Sequence, residues 1–312
     1  MKAGSNLEKV LAAGHFAVTA EMGPPMGADV EAVQRKIEIL RGTADAYNVT
    51  DNQTAVVRMS SIATSIFLQQ AGLEPVMQMT CRDRNRIAIQ SDILGAVAHG
   101  IRNCLCISGD HQSFGASKRL NGHPGSKNVY DIDSIQLVNV LKGMRDDGCL
   151  QSGDKITAPI PLFIGAAWTP MGDPIDIRVM RLGKKVSAGA DFIQTQGVYD
   201  VEAFAGQVAK ARERGITERT AILAGIIVPK SAGMLEYMNS SVAGVRVPQS
   251  LIDRMRAAKN HREEGIRVTV ELIKQVREIP GVRGVHLQAI EWEETIPTIV
   301  REAGLFPRPT VQ

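Results

Sequence analysis

The chain has 312 residues, and 36 Lys+Arg against 33 Asp+Glu leave a formal charge of only +3. With 44% hydrophobic and 22% charged residues, usage is that of an ordinary globular protein, so neither a disordered chain nor a polybasic nucleic-acid binder is expected. Four cysteines (Cys81, Cys104, Cys106, Cys149) are too few for a disulfide scaffold, no leader pattern opens the chain, and no apolar run approaches the ~20 residues that span a bilayer. The expectation is a cytoplasmic protein with reduced thiols and no membrane insertion.

Short runs rich in Val, Ile and Ala recur along the chain at 16–21, 45–50, 75–80, 103–108, 161–166, 190–196, 220–227 and 283–288. They lack clean polar alternation, as strands covered on both faces do. Between them lie segments of helical period. Val30, Val33, Ile37 and Leu40 form an apolar stripe over 29–40; Ile93, Leu94, Val97 and Ala98 over 90–99; Ile135, Val138 and Leu141 over 134–144; Ile177, Met180, Leu182 and Val186 over 176–188, where Gly189 supplies the stop. Eight β/α alternations without G-x-G-x-x-G or a Walker loop predict an α/β fold, a single (β/α)8 TIM-type barrel over residues 1–312, with longer insertions at about 109–160 and 228–282.

In such a barrel the C-terminal strand ends build the site. Here they carry Glu21, then Thr50-Asp51, Gln78 and Thr80, Ser108-Gly109-Asp110-His111, Ala166 to Trp168, Gln194-Thr195-Gln196, and His286 with Gln288. Strand ends are also simply where chains turn polar, which explains any one of these residues as well as a site does; it explains the whole set less well. Glu21 lies between apolar Ala20 and Met22, and burial among them would raise its pKa and suit a general acid. Arg178, Arg181, Lys184 and Lys185 on the helix after strand five are either a solvated face or a phosphate clamp. Cys104-x-Cys106 places both thiols on one face of a strand, as buried apolar groups rather than metal ligands, and the scattered histidines give no metal motif.

Glu21 with Pro24-Pro25, Asn48-Val49-Thr50-Asp51, Thr80-Cys81, Ser108-Gly109-Asp110, Tyr130, Lys184-Lys185-Val186 with Ala188-Gly189-Ala190, Thr195-Gln196 with Asp200, Gly225-Ile226 and Val245 to Pro248 together resemble the methylenetetrahydrofolate reductase family over about residues 15–290. The resemblance implies a flavin-carrying barrel that reduces methylenetetrahydrofolate to methyltetrahydrofolate. It implies two catalytic carboxylates, Glu21 as the acid that opens the bridged ring to the iminium and Asp110 beside pterin and flavin. Gln196, Asp110 and Gln288 would hold the folate. Thr50, Asp51, Gln78, Ser108, Gly109, Asp110, Tyr130, Ala166, Trp168, Arg181, Lys184 and Lys185 would hold the flavin, with no metal. FAD is the family's flavin, and FMN is the alternative because Arg178 and Arg181 stand where some relatives have Asp and Asn. The donor would be NAD(P)H or a redox partner subunit: Pro229 to Gly233 lacks the aromatic residue that some NADH-using relatives carry, and the Arg82-to-Arg86 run and the Ser108-to-His111 turn look like the short reductases of anaerobic one-carbon pathways, some of which work with an iron–sulfur partner subunit. An oligomer or complex subunit is expected. The rival readings are a folate-binding methyltransferase barrel and a flavin-carrying subunit of a larger redox complex.

Overall fold

The computed structural model describes residues 1–113 and 122–311. Eight parallel strands, β1 (Ala17–Met22), β2 (Ala46–Val49), β3 (Pro75–Thr80), β4 (Asn103–Ile107), β5 (Phe163–Trp168), β6 (Phe192–Gly197), β7 (Ala221–Ile227) and β8 (Val282–Gln288), pair in chain order and close with β8 on β1. The expected barrel is therefore found. Around it run α1 (Asn6–Ala12), α2 (Val30–Leu40), α3 (Ser61–Gln70), α4 (Arg86–Ala98), α5 (Ser134–Asp146), α6 (Arg178–Ala188), α7 (Val201–Glu213), α8 (Ala232–Ser241), α9 (Gln249–Ala257), α10 (His261–Arg277) and α11 (Ile296–Glu302). The long connection at 228–282 holds α8, α9 and α10 where one helix would suffice, and 109–160 holds α5 plus loop. Among the described residues no helix is long and apolar enough to cross a membrane.

Strand side chains alternate between the barrel interior and the helices. Ala17, Ala46, Val76, Leu105, Phe163, Phe192 and Leu223 meet inside, with Phe163 and Phe192 stacked at 5.1 Å between ring centroids. Leu7, Val10 and Leu11 of α1 join this cluster and plug the N-terminal end of the barrel. The intervening residues, among them Val18, Ala20, Met22, Cys104, Cys106, Ala166 and Trp168, pack outward in the larger core against the helices. Both thiols of the Cys-x-Cys pair thus face helices, and burial pushes the Cys106 thiol well up. The stripe on α6 is displaced from expectation: Val179, Leu182 and Val186 are buried while Ile177 and Met180 are exposed. The helix starts at Arg178, after a turn of 3-10 helix at Ile175–Ile177, and counting back three from Leu182 gives Val179. Helix α4 starts earlier than expected because Asn85 caps it, accepting the Ile87 and Ala88 N–H groups at 3.1 and 3.0 Å.

Strand β7 passes so close to β6 at Gly225 that a Cβ there would lie 2.2 Å from the Thr195 carbonyl oxygen. Gly225→Ala should therefore destabilise the fold by about 1–3 kcal/mol or more. Gly206, inside α7 with nothing within 4 Å of an added Cβ, should instead gain ~0.5–1 kcal/mol as Gly206→Ala. Urea denaturation of both variants checks the pair, and equal stabilities would contradict the close approach.

Candidate active site

A cavity of about 480 Å³ opens at the C-terminal ends of the strands, within the ~300–1,000 Å³ that suits a small-molecule or cofactor site. Its floor is a layer of buried polar side chains. Asn48 and Gln194 exchange amide hydrogen bonds at 2.7 and 3.0 Å, Gln194 Nε2 donates to Thr19 Oγ1 at 3.0 Å, and Thr19 Oγ1 lies 3.0 Å from His286 Nδ1. His286 Nε2 then faces Glu21 Oε2 at 3.9 Å. Glu21 is inward on β1, its side chain 19% exposed. Ala20 and Met22 point the opposite way, into the helical layer. They neighbour Glu21 in sequence but not in space, so the surroundings expected from its flanking residues are replaced by the polar floor.

Of the expected residues, Glu21, Thr50, Asp51, Gln78, Ser108, Gly109, Asp110, Arg181, Lys185, Gln196 and Gln288 line this cavity. Ala166 and Trp168 do not. They sit on the outer face of β5, where Trp168 Nε1 donates to Arg178 O at 3.2 Å, and the next residues, Ala167 and Thr169, line the cavity in their place. Lys184 is exposed on the outer side of α6. Tyr130 stands outside the lining, its hydroxyl donating to Gly109 O at 3.3 Å. Asp51 lines the cavity with its oxygens already engaged: Oδ2 accepts the Thr80 N–H at 2.9 Å, and Arg84 bonds both oxygens at 2.6 and 3.2 Å.

The loop after β2 is held in an unusual backbone. Asn52, Thr54 and Ala55 have φ of 48°, 57° and 57°, a left-handed conformation costing of order 1–3 kcal/mol for a residue such as threonine or alanine. Asp110 Oδ2 holds it by accepting the Thr54 N–H at 2.8 Å, and Arg82 donates to Asn52 O at 3.2 Å and to Asp110 O at 3.0 Å. The loop presents Gln53, whose Oε1 accepts from Thr50 Oγ1 at 2.6 Å, into the cavity. Gln53 and Arg82 were not legible as site residues. Arg82 is 3% exposed and paired with Asp83 at 2.6 Å, and its sequence context of alternating charges reads as surface.

Strands β1 and β5 lie opposite one another in an eight-stranded ring, so the lining has two opposite ends. Arg178, Arg181 and Lys185 gather beside β5. Arg178 donates to Gly172 O at 2.9 Å and to Asp173 O, Lys185 donates to Ala167 O, and among the described residues none of the three forms an ion pair with a carboxylate. Burial first, and then repulsion from Arg181, pulls Lys185 down to about 8. Uncompensated cations at one end of a cavity suit an anionic group such as a phosphate. Across the ring, Glu21, Gln196 and Gln288 leave an acid and two amides for a polar heterocycle. Gln196 Oε1 accepts the Gly197 N–H at 3.0 Å, so its amide nitrogen is the end that remains for a ligand.

A family model described as methylenetetrahydrofolate reductase matches residues 6–304. Methylenetetrahydrofolate reductase 1 of Schizosaccharomyces pombe is 27% identical over 242 residues, which is 75% of this chain and 36% of that protein. The 5,10-methylenetetrahydrofolate reductase of Salmonella typhimurium is 24% identical over 250 residues, 77% of this chain and 73% of that one. The chain thus spans little more than a third of the yeast relative's length. Among solved structures, a Clostridium thermocellum protein described as binding two copies of 5-methyl-5,6,7,8-tetrahydrofolic acid superposes with a TM-score of 0.63 at 13% identity, covering 95% of this chain and 97% of that one; at that identity the likeness speaks for the fold.

An anion at the β5 cations favours the charged form of Lys185 and raises its pKa on binding. Anion affinity should therefore be constant below about pH 8 and fall as pH rises through that value. Sulfate, whose charge does not change in this range, is the probe, and calorimetry gives its affinity. Lys185→Met should remove the fall, and a wild-type affinity unchanged through that pH would contradict the assignment.

Proposed function

The chain belongs to the methylenetetrahydrofolate reductase family, and from that premise we propose that it reduces 5,10-methylenetetrahydrofolate to 5-methyltetrahydrofolate with a flavin bound in the barrel mouth. The observation that carries this reading is the division of one cavity, with Glu21 on β1 opposite an unpaired cation trio beside β5. The residues fit a flavin: Arg178, Arg181 and Lys185 would hold its phosphate, and Thr50, Gln78, Ser108 and Gly109 would line its course across β2 to β4. FAD and FMN both carry a phosphate for such a clamp, and acid extraction of the purified protein identifies which is bound. A reduced flavin supplies a hydride.

The chain's own residues supply the rest. Gln196 and Gln288 orient the pterin by hydrogen bonds. Glu21 holds a proton toward the bridging nitrogen that leaves; as that C–N bond breaks, its electron pair takes the proton and the other nitrogen forms the iminium. The plugged barrel closes the site from below, so substrate and cofactor meet in a fixed geometry. Asp110 fixes the strained loop that presents Gln53 into the cavity. The electron donor to the flavin is NAD(P)H or a redox partner subunit. A methyltransferase barrel would use the amides and the acid but would leave the β5 cations without a purpose.

Removing one positioned acid typically costs ~10²–10⁴ in rate. Glu21→Gln should keep its flavin and lose folate turnover by roughly that range. Stopped-flow absorbance of the reduced protein mixed with methylenetetrahydrofolate measures it, and near-normal rates in the variant would contradict the role.

A further inference from the structure

Behind Glu21 lies a second, smaller space of about 40 Å³, lined by Glu21, Gly23, Lys36, Gln53, Arg58 and Glu291 among others. It is large enough for water, which needs ~10–15 Å³ of probe-occupied volume, and too small for a ligand. Glu21 and Gln53 line both this chamber and the main cavity, so the Glu21 carboxyl stands in the partition between them. Two further features set the chamber apart. Arg58 is a cation with little to bind among the described residues: its Nη1 donates to Pro24 O at 3.2 Å, while its buried Nε–H meets no acceptor there. A buried donor left in this state calls for an acceptor nearby. Titratable groups also continue outward from Glu21, through Lys36, which donates to Gly23 O at 3.0 Å and pairs with buried Glu293, to exposed Glu291 at the rim, held at φ 50°.

Resting on the function proposed above, we infer that this chamber is the path by which Glu21 recovers its proton, with Arg58 as the positioning residue that holds the relaying water. The balance requires that a proton return to Glu21 in every cycle. Each turnover adds one hydride and one proton to the substrate, and the proton leaves on the product nitrogen, so Glu21 ends the cycle as a carboxylate. Product then covers its main-cavity side. A chamber water donates a proton to Glu21 and is itself reprotonated from bulk solvent past Glu291. No other co-reactant is consumed.

The test separates the first turnover from the later ones. Before substrate binds, Glu21 is open to solvent through the main cavity, so protein equilibrated with buffer needs no relay for its first reaction. Arg58→Met should keep its flavin spectrum and its single-turnover rate with methylenetetrahydrofolate to within about twofold, while steady-state turnover with dithionite as donor falls about tenfold, a part of the ~10²–10⁴ that acid catalysis contributes. The slowed turnover should show an enlarged solvent deuterium isotope effect and recover on adding imidazole buffer. Gly23→Ala, whose added methyl would meet only Gln53 Nε2 at 3.5 Å, should narrow the chamber and give the same split without touching Arg58. Steady-state rates equal to wild type in both variants would overturn the inference, as would a single-turnover rate that falls in step with the steady state. Wild-type protein that fails to react with methylenetetrahydrofolate at all would instead overturn the function on which the route rests.

Discussion

Four polar side chains buried in mid-barrel, Thr19, Asn48, Gln194 and His286, have chiefly one another as hydrogen-bond partners. Leaving such a group unpaired costs about 1–3 kcal/mol, so their mutual satisfaction fixes the rotamers of strands β1, β2, β6 and β8 together. Everything above the layer inherits that order. Glu21 is two residues beyond Thr19 and Gln288 two beyond His286, so each points into the cavity because the residue beneath it points into the floor; Gln196 also lines the cavity, within the irregular stretch of β6 between Gln194 and Gly197. Below the layer, Phe163, Phe192 and the α1 plug exclude water. The site is the top of a stack whose lower levels are set by packing and whose middle level is set by hydrogen bonding.

The electrostatics of the cavity follow from the same ring. Carboxylates on the β2–β4 side are already committed: Asp51 to Arg84 and Thr80, Asp110 to the backbone of the loop after β2. Among the described residues Arg178 and Lys185 have only backbone carbonyls as side-chain partners, and repulsion from Arg181 adds to burial in lowering Lys185. An anionic ligand would relieve both. On the opposite wall the Glu21 carboxyl faces His286 and no arginine at ion-pair distance among the described residues. The cations and the Glu21 carboxyl are thus separated by the width of the barrel.

Much of this was legible in the sequence. The eight apolar runs fall within a residue or two of the observed strands because a strand buried on both faces must be apolar throughout, and the length of one βα unit sets their spacing. Glu21, Gln196 and Gln288 were readable as cavity-lining residues because they belong to a set of polar side chains at successive strand ends, which turning chains explain one by one but less well together. What failed was phase. Ala166 and Trp168 were assigned to the site and Ala167 and Thr169 were not, because a run apolar on both faces carries no mark of which face is inward. The same limit misplaced Ala20 and Met22 around Glu21. Helix α1 went unseen, being only seven residues long. Arg82 and Gln53 went unseen because their roles come from the backbone of a strained loop, which no spacing rule predicts. The β5 cations stood in the sequence as an even choice between surface and clamp; Lys184 lies exposed, and Lys185 lines the cavity.

The central claim is that one cavity holds a flavin in electronic contact with a folate. The most direct measurement is the anaerobic absorbance spectrum of the purified protein before and after adding methyltetrahydrofolate, which assumes no electron donor and no partner. The account predicts a visible flavin band that bleaches as the reaction runs in reverse and hydride returns to the cofactor. A chain that takes up neither FAD nor FMN on reconstitution, or a flavin band that methyltetrahydrofolate leaves unchanged, would contradict it.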